Sequence, residues 1–277
     1  MQKPMTPDND VETELGVDEV EPGAIETEGE GPRRRGIYLL PNLFTTAGLF
    51  SGFYAIVAAM NGKFEPAAIA VFAAMVFDSL DGRVARWTHT ESAFGKEYDS
   101  LSDMVSFGLA PALVMFEWSL HSMADYGSAW GKVGWMGAFF YAACAALRLA
   151  RFNVRVGIVD KRYFQGLPSP AAAGIVAGAV WCAFNFDIPG SAMIIPAYIL
   201  TVGAGALMVS SIGYYSFKDL KLQGRVPFTV LLAVPVLLVI IFLSPPNTLF
   251  LAFLLYALSG IVMALWRLYR RNQRKPA

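Results

Sequence analysis

The chain has 277 residues, is 55% hydrophobic and has a mean hydropathy of +0.46, which excludes a soluble globular or wholly disordered protein and indicates a polytopic membrane protein. Its 22 basic and 22 acidic side chains cancel, but unevenly: residues 1–30 hold ten acids and one base, leaving a net of +9 in residues 31–277. Two cysteines, Cys144 and Cys182, both inside apolar segments, exclude a disulfide framework or a cysteine metal site.

Residues 1–32 lack aromatic and most large apolar side chains, so an acidic, disordered N-terminal tail is expected, followed by a membrane domain over 33–277. The tail lacks the basic start and apolar core of a signal peptide. Eight apolar runs follow, near 37–60, 64–86, 98–118, 133–152, 168–186, 192–214, 226–243 and 247–266, each close to the ~20 residues that cross a bilayer. The fold class expected is therefore an all-α transmembrane bundle of about eight helices. No stretch alternates with period two, so strands are not expected. Turn chemistry at Asn61-Gly62, Gly127-Ser128, Pro189-Gly190 and Pro245-Pro246 separates the runs.

With the N-terminus in the cytoplasm, 20 of the 22 Lys and Arg residues fall on the cytoplasmic side and only Lys63 and Lys132 on the other. The positive-inside rule then places both termini in the cytoplasm, in a multi-pass protein of the inner cell membrane. Arg33, Arg34 and Arg35 read as a juxtamembrane anchor, and Trp118, Trp130 and Trp135 as an aromatic belt at the outer interface. Small residues in the fifth and sixth runs, including Gly174, Gly178, Gly203 and Gly205, suit close helix packing within a subunit or across a dimer.

The charges inside this frame cluster. Asp78 and Asp81 lie three apart at the end of the second run, and Asp99 and Asp103 four apart at the start of the third, so each pair shares a helix face. Two antiparallel helices joined by a loop containing Gly95 can present all four carboxylates to one point, as paired-metal helical bundles do. Oxygen-only ligands suit Mg²⁺ or Mn²⁺. His89 and His121 stand outside the pattern, against zinc. Two ions about 4 Å apart suit in-line displacement at phosphorus. Gly82 permits close approach of a ligand to the helix backbone, and Arg86 reaches the same end with a phosphate-binding fork. The alternative is a set of surface acids paired with Arg83, Arg86 and Lys96. The cost of ionisable groups at a membrane edge weighs against it.

The string Asp78-x2-Asp81-Gly82-x2-Ala85-Arg86-x8-Gly95-x3-Asp99-x3-Asp103 resembles, without a departure, the signature of the CDP-alcohol phosphatidyltransferases. Pro41-Asn-Leu-Phe-Thr-Thr46, Arg148-Leu-Ala-Arg-Phe-Asn153, Gln165-Gly-Leu-Pro-Ser-Pro170 and Tyr214-Tyr-Ser-Phe-Lys218 resemble its bacterial phosphatidylserine synthase branch. The resemblance implies that Asp78, Asp81 and Asp99 ligate a metal pair and that Asp103 both touches a metal and acts as general base. It further implies that Asn42, Thr45, Gly82, Arg86 and Ser92 bind CDP-diacylglycerol. The implied reaction is attack of the L-serine hydroxyl on that donor, giving phosphatidylserine and CMP, by a homodimer in contact with membrane lipid and without a nucleic-acid partner.

The acceptor has to be held by its carboxylate and ammonium groups. Arg148 and Arg151, three apart near the cytoplasmic end of the fourth run, are candidates, with Asn153, Gln165 and Ser169 completing the pocket. Positive-inside anchoring is the competing role for both arginines, and for Arg155 and Arg162, while Ser169 before Pro170 also suits a helix cap. Another acceptor within the family (glycerol 3-phosphate, inositol phosphate or choline) stays open, because three nearby arginines also suit a phosphate. A cation transporter using the four acids is the alternative from another class; it calls for acids at the bilayer midplane and broken helices.

Overall fold

The computed structural model describes residues 35–88, 90, 92–155, 163–215 and 228–273. The acidic tail, Arg33, Arg34, His89, Arg162 and the basic residues of 216–227 lie outside the described residues. Helices follow the apolar runs in order. They are α1 (Arg35–Met60), α2 (Phe64–Thr88), α3 (Ala93–Asp103), α4 (Ala110–Trp118), α5 (Ser128–Arg155), α6 (Ser169–Asn185), α7 (Ile194–Val209), α8 (Phe228–Leu243) and α9 (Pro245–Gln273).

Among the described residues, five segments are long and apolar enough to cross a membrane: Leu40–Met60, Ala93–Tyr126, Ser128–Val154, Gly190–Val209 and Pro245–Arg267. The apolar helix Ser169–Asn185 is shorter, and α2 carries Asp78 and Asp81 within its length. The molecule is thus a helical bundle with several membrane-spanning helices. Its turns fall where the sequence places them. Gly62 takes the left-handed conformation (φ 71°) between α1 and α2, and Gly127 takes φ 121° before α5.

The third apolar run is not one α-helix. α3 opens at Ser92, whose Oγ accepts the Gly95 N–H at 3.0 Å as an N-cap. A π-helical turn, Met104–Leu109, starts immediately after Asp103 and leads into α4. Such turns often mark functional positions in helices. Two hydroxyls hold this one: Tyr141 Oη on α5 donates to Phe107 O at 3.1 Å, and Ser106 Oγ donates to Gly48 O at 3.1 Å.

Small residues set the helix spacing. Gly48 and Gly52, four apart on α1, receive Ser102 and Ser106, four apart across the α3–π junction. A Cβ at Gly52 would lie 2.6 Å from Ser106 Oγ and 2.8 Å from Ser106 Cα. α6 is buried along most of its length, and its Gly174 and Gly178 accept the rings of Phe253 and Phe250 from α9. These two glycines of the fifth run therefore pack inside the subunit. Gly205 of α7 sits against Tyr141 of α5, while Gly203 faces open space.

Three expectations are corrected. Two short strands exist: β1 (Tyr163–Gln165) pairs antiparallel with β2 (Gly213–Tyr215), Gln165 opposite Gly213. Three residues per strand are too few to show a period-two pattern in sequence. Trp118 is 6% exposed and lies in the core, whereas Trp130 and Trp135 are more than half exposed. Its place at the end of α4, against the buried Leu120 turn, takes it out of any interfacial belt. Ser169 is the first residue of α6, and Pro168 occupies the capping position without a side-chain bond.

Candidate active site

The acidic centre is assembled by α1, α2 and α3. Oxygens of Asp78, Asp99 and Asp103 lie within 4.8 Å of one another, and the carboxyls of Asp78 and Asp103 come within hydrogen-bonding reach. Asp81 stands beside this trio, close enough to interact electrostatically with Asp78 and Asp99. One of its oxygens is engaged: Thr45 Oγ1 donates to Asp81 Oδ2 at 2.9 Å, with Pro41 O 3.2 Å away as a second acceptor. Thr45 and Asp81 are both almost fully buried. α1 is pinned to α3 through the same turn, where Ser102 Oγ donates to Thr45 O at 3.2 Å. The neighbouring Thr46 hydroxyl meets Tyr98 Oη at 3.0 Å.

The residues expected to bind the donor surround this centre. The Arg86 guanidinium lies over Gly82, its Nη1 3.5 Å from where a Gly82 Cβ would be. Gly82 thus leaves room for the arginine as well as for a ligand. Asn42 Oδ1 and Ser92 Oγ both approach Gly95, at 3.5 Å and 3.1 Å from its Cβ position, so the second turn of α1 meets the start of α3. Ser92 carries a capping duty in addition to any ligand contact.

These residues fit a divalent cation. Every donor is a carboxylate oxygen, the set hard cations prefer. Three like charges within 4.8 Å require a cation or protons between them. His121 lies away from the centre, its Nδ1 3.3 Å from Phe116 O.

The expected acceptor residues divide into two groups. Arg148 is largely buried, its Nη1 donates to Ser169 Oγ at 2.6 Å, and its Nε is buried without a hydrogen-bond partner. Asp103 and Arg151 are the charged side chains that act on it most strongly. Arg151 is spent on backbone: Nη1 donates to Val209 O at 3.0 Å, and Nη2 to Gln165 O at 2.8 Å and Ser210 O at 3.3 Å. Asn153 Nδ2 donates to Ser100 Oγ at 3.0 Å, bracing α5 against the turn of α3 that carries Asp99. Gln165 is exposed at the end of β1.

Sequence reasoning missed the Thr45–Asp81 bond, the π-turn and Tyr141. One signal was available: Gly48-x3-Gly52 and Ser102-x3-Ser106 are small-residue pairs at the spacing that brings helices close. Tyr141 carries no local pattern that separates it from other tyrosines in apolar runs.

Comparison with known proteins agrees with this geometry. The family model for CDP-alcohol phosphatidyltransferase matches residues 38–210. Two proteins named CDP-diacylglycerol–serine O-phosphatidyltransferase, from Helicobacter pylori strains J99 and 26695, are 36% and 35% identical over 228 residues, covering 82% of this chain and 91% of theirs. A protein of the same name from Methanocaldococcus jannaschii is 35% identical over 192 residues, 69% of this chain and 81% of its own. The chain belongs to the CDP-alcohol phosphatidyltransferase family.

Proposed function

We propose that this protein transfers the phosphatidyl group of CDP-diacylglycerol to the hydroxyl of L-serine, giving phosphatidylserine and CMP. The observation that carries the reaction type is the convergence of Asp78, Asp99 and Asp103 within 4.8 Å, on the residues of a complete family signature. The choice of serine is supported by the names of relatives matched over 91% of their length.

Asp78, Asp81, Asp99 and Asp103 would hold two divalent ions, Mg²⁺ or Mn²⁺, with Thr45 fixing the rotamer of Asp81; such ions would supply neutralisation of charge on the diphosphate and on the transferring group. Arg86, Asn42, Thr45, Gly82 and Ser92 orient the CDP moiety. Arg148, with its open Nε and its link to Ser169, orients the carboxylate of serine. Asp103 accepts the hydroxyl proton as the serine oxygen bonds to the phosphorus nearest the diacylglycerol. The bond from that phosphorus to the CMP oxygen breaks, and CMP leaves with its electron pair. Rate enhancement comes chiefly from positioning and fixed charge.

Eight spans with both termini in the cytoplasm complete the reading, in an inner membrane whose cytoplasmic face carries the site. The basic-residue asymmetry supports this orientation. The acidic tail 1–32 precedes the catalytic membrane domain 33–277, and the working unit is a homodimer. CMP release from CDP-diacylglycerol in detergent micelles, assayed with serine, glycerol 3-phosphate, inositol phosphate and choline in turn, tests the reaction. Serine-dependent release is expected, and release with glycerol 3-phosphate but not serine overturns the assignment of acceptor.

A further inference from the structure

The two arginines that sequence places side by side on α5 do different work. Arg148 bonds Ser169 Oγ through Nη1 and keeps a buried Nε without a hydrogen-bond partner. Arg151, one turn later, gives its guanidinium to three backbone carbonyls on two separate segments: Gln165 on β1, and Val209 and Ser210 at the end of α7. The first lies on β1 and the other two lie just before its partner strand β2. After β1 the chain bends at Gly166, which takes φ +81° and donates its N–H to Ile212 O at 2.8 Å. Leu167 is fully buried and donates its N–H to Leu207 O at 3.0 Å. Two residues on, Ser169 accepts the 2.6 Å bond from Arg148.

A carbonyl at a ribbon end or helix terminus needs a donor when partly buried. An arginine fork that bridges three of them fixes their separation more firmly than separate bonds to water. The loop from Gln165 to Ser169 therefore has its backbone set by Arg151 and delivers its last residue to Arg148. We propose that Arg151 is a positioning residue, which fixes this loop so that Ser169 holds Arg148 in the orientation that meets the acceptor, and that Arg151 itself does not contact the acceptor. The proposal rests on the serine-transfer reading, and it assigns the carboxylate-reading role to one of the two arginines.

A double-mutant cycle separates positioning from contact. Arg151→Gln, Arg148→Met and the double variant are purified in detergent with metal and both substrates present. kcat and KM are measured for serine, and KM for CDP-diacylglycerol. Arg151→Gln is expected to raise the KM for serine about tenfold while the CDP-diacylglycerol KM stays within about twofold, whereas a smaller folded fraction lowers kcat and leaves both KM values unchanged. In the Arg148→Met background the Arg151→Gln change is expected to cost no more than about twofold, because its effect runs through Arg148. Effects that multiply in the double variant mean independent contact with the acceptor and overturn the proposal, as does an Arg151→Gln enzyme with unchanged kinetics. Where Arg151→Gln does not fold, Arg151→Lys is read in the same cycle by the same criteria. Failure of the serine reading itself is visible separately, as a wild-type enzyme that releases no CMP in response to serine.

Discussion

The donor half of the site, on α1 to α3, and the acceptor half, on α5, the β ribbon and α6, are built by opposite means. In the donor half, the carboxylates of Asp78, Asp99 and Asp103 converge with Asp81 beside them, and hydroxyls of Thr45, Ser102 and Ser106 tie the helices together. In the acceptor half, arginine side chains make the ties, Arg148 to the Ser169 hydroxyl and Arg151 to the carbonyls of Gln165, Val209 and Ser210. The first half concentrates negative charge that a cation must offset. The second places a buried positive charge where an anionic group can meet it. An enzyme that joins a diphosphate donor to an amino-acid acceptor needs both. The difference teaches that the donor half is recognisable from its clustered charge, while in the acceptor half one residue type, arginine, takes two roles that only its contacts separate.

The largest expected effect falls on the donor half. Asp103→Asn removes the proposed proton acceptor and one charge of the cluster, and should lower kcat by roughly 10³-fold, within the range for loss of a general base. Asp99→Asn should do the same through loss of the cation. Both proteins should elute as folded, monodisperse species in detergent, which separates lost chemistry from lost fold. Full activity in both would remove the acidic centre from the reaction and erase the contrast between the two halves.

Thr45→Val probes the same half without touching its charge. The buried hydroxyl that holds Asp81 Oδ2 at 2.9 Å is replaced by a methyl group of similar volume. Partners of metal-binding carboxylates typically contribute about 10–100-fold in metal affinity. The half-saturating Mg²⁺ or Mn²⁺ concentration should therefore rise by about that factor, with maximal activity largely recovered at high metal. An unchanged metal titration would show that Asp81 holds its orientation without Thr45.

The same asymmetry explains how much could be read from sequence. The helices were legible because apolar runs of membrane length leave little freedom in a bilayer, where backbone polar groups must bond internally. The acids were legible because Asp78 and Asp81, and Asp99 and Asp103, lie within one helical turn of each other. The acceptor half was only partly so. Arg148 and Arg151 form an equally regular pair, yet spacing could not show that one bonds the first residue of α6 and the other the carbonyls of β1 and the end of α7. The β ribbon was invisible because its strands are three residues long and lie 50 residues apart from Tyr163 to Gly213. The π-turn after Asp103 was also hidden, since one extra residue in a helical turn leaves an apolar run apolar. Trp118 was misread because an apolar run does not say which aromatic faces lipid and which faces a neighbouring helix.

The smallest effects come from the glycines, and they test whether close helix approach matters more beside the site than elsewhere. At Gly52 on α1 a Cβ would sit 2.8 Å from Ser106 Cα, which cannot move aside as a side chain can. Gly52→Ala should push α1 from the π-turn, lowering stability by about 1–3 kcal/mol as overpacking does. Because Thr45 lies two turns earlier on the same helix, part of the metal affinity should go with it. Gly203 on α7 has no atom within 4 Å of its Cβ position. Gly203→Ala should leave activity and metal titration unchanged, and should shift stability by no more than roughly 1 kcal/mol, in the favourable direction expected for alanine over glycine within a helix. Thermal unfolding of the two detergent-solubilised variants, followed with a metal titration of each, reads both quantities. A Gly52→Ala enzyme as stable and as avid for metal as Gly203→Ala would mean that α1 is held by its hydroxyl bonds alone, and that the close approach at Gly52 is incidental to the site.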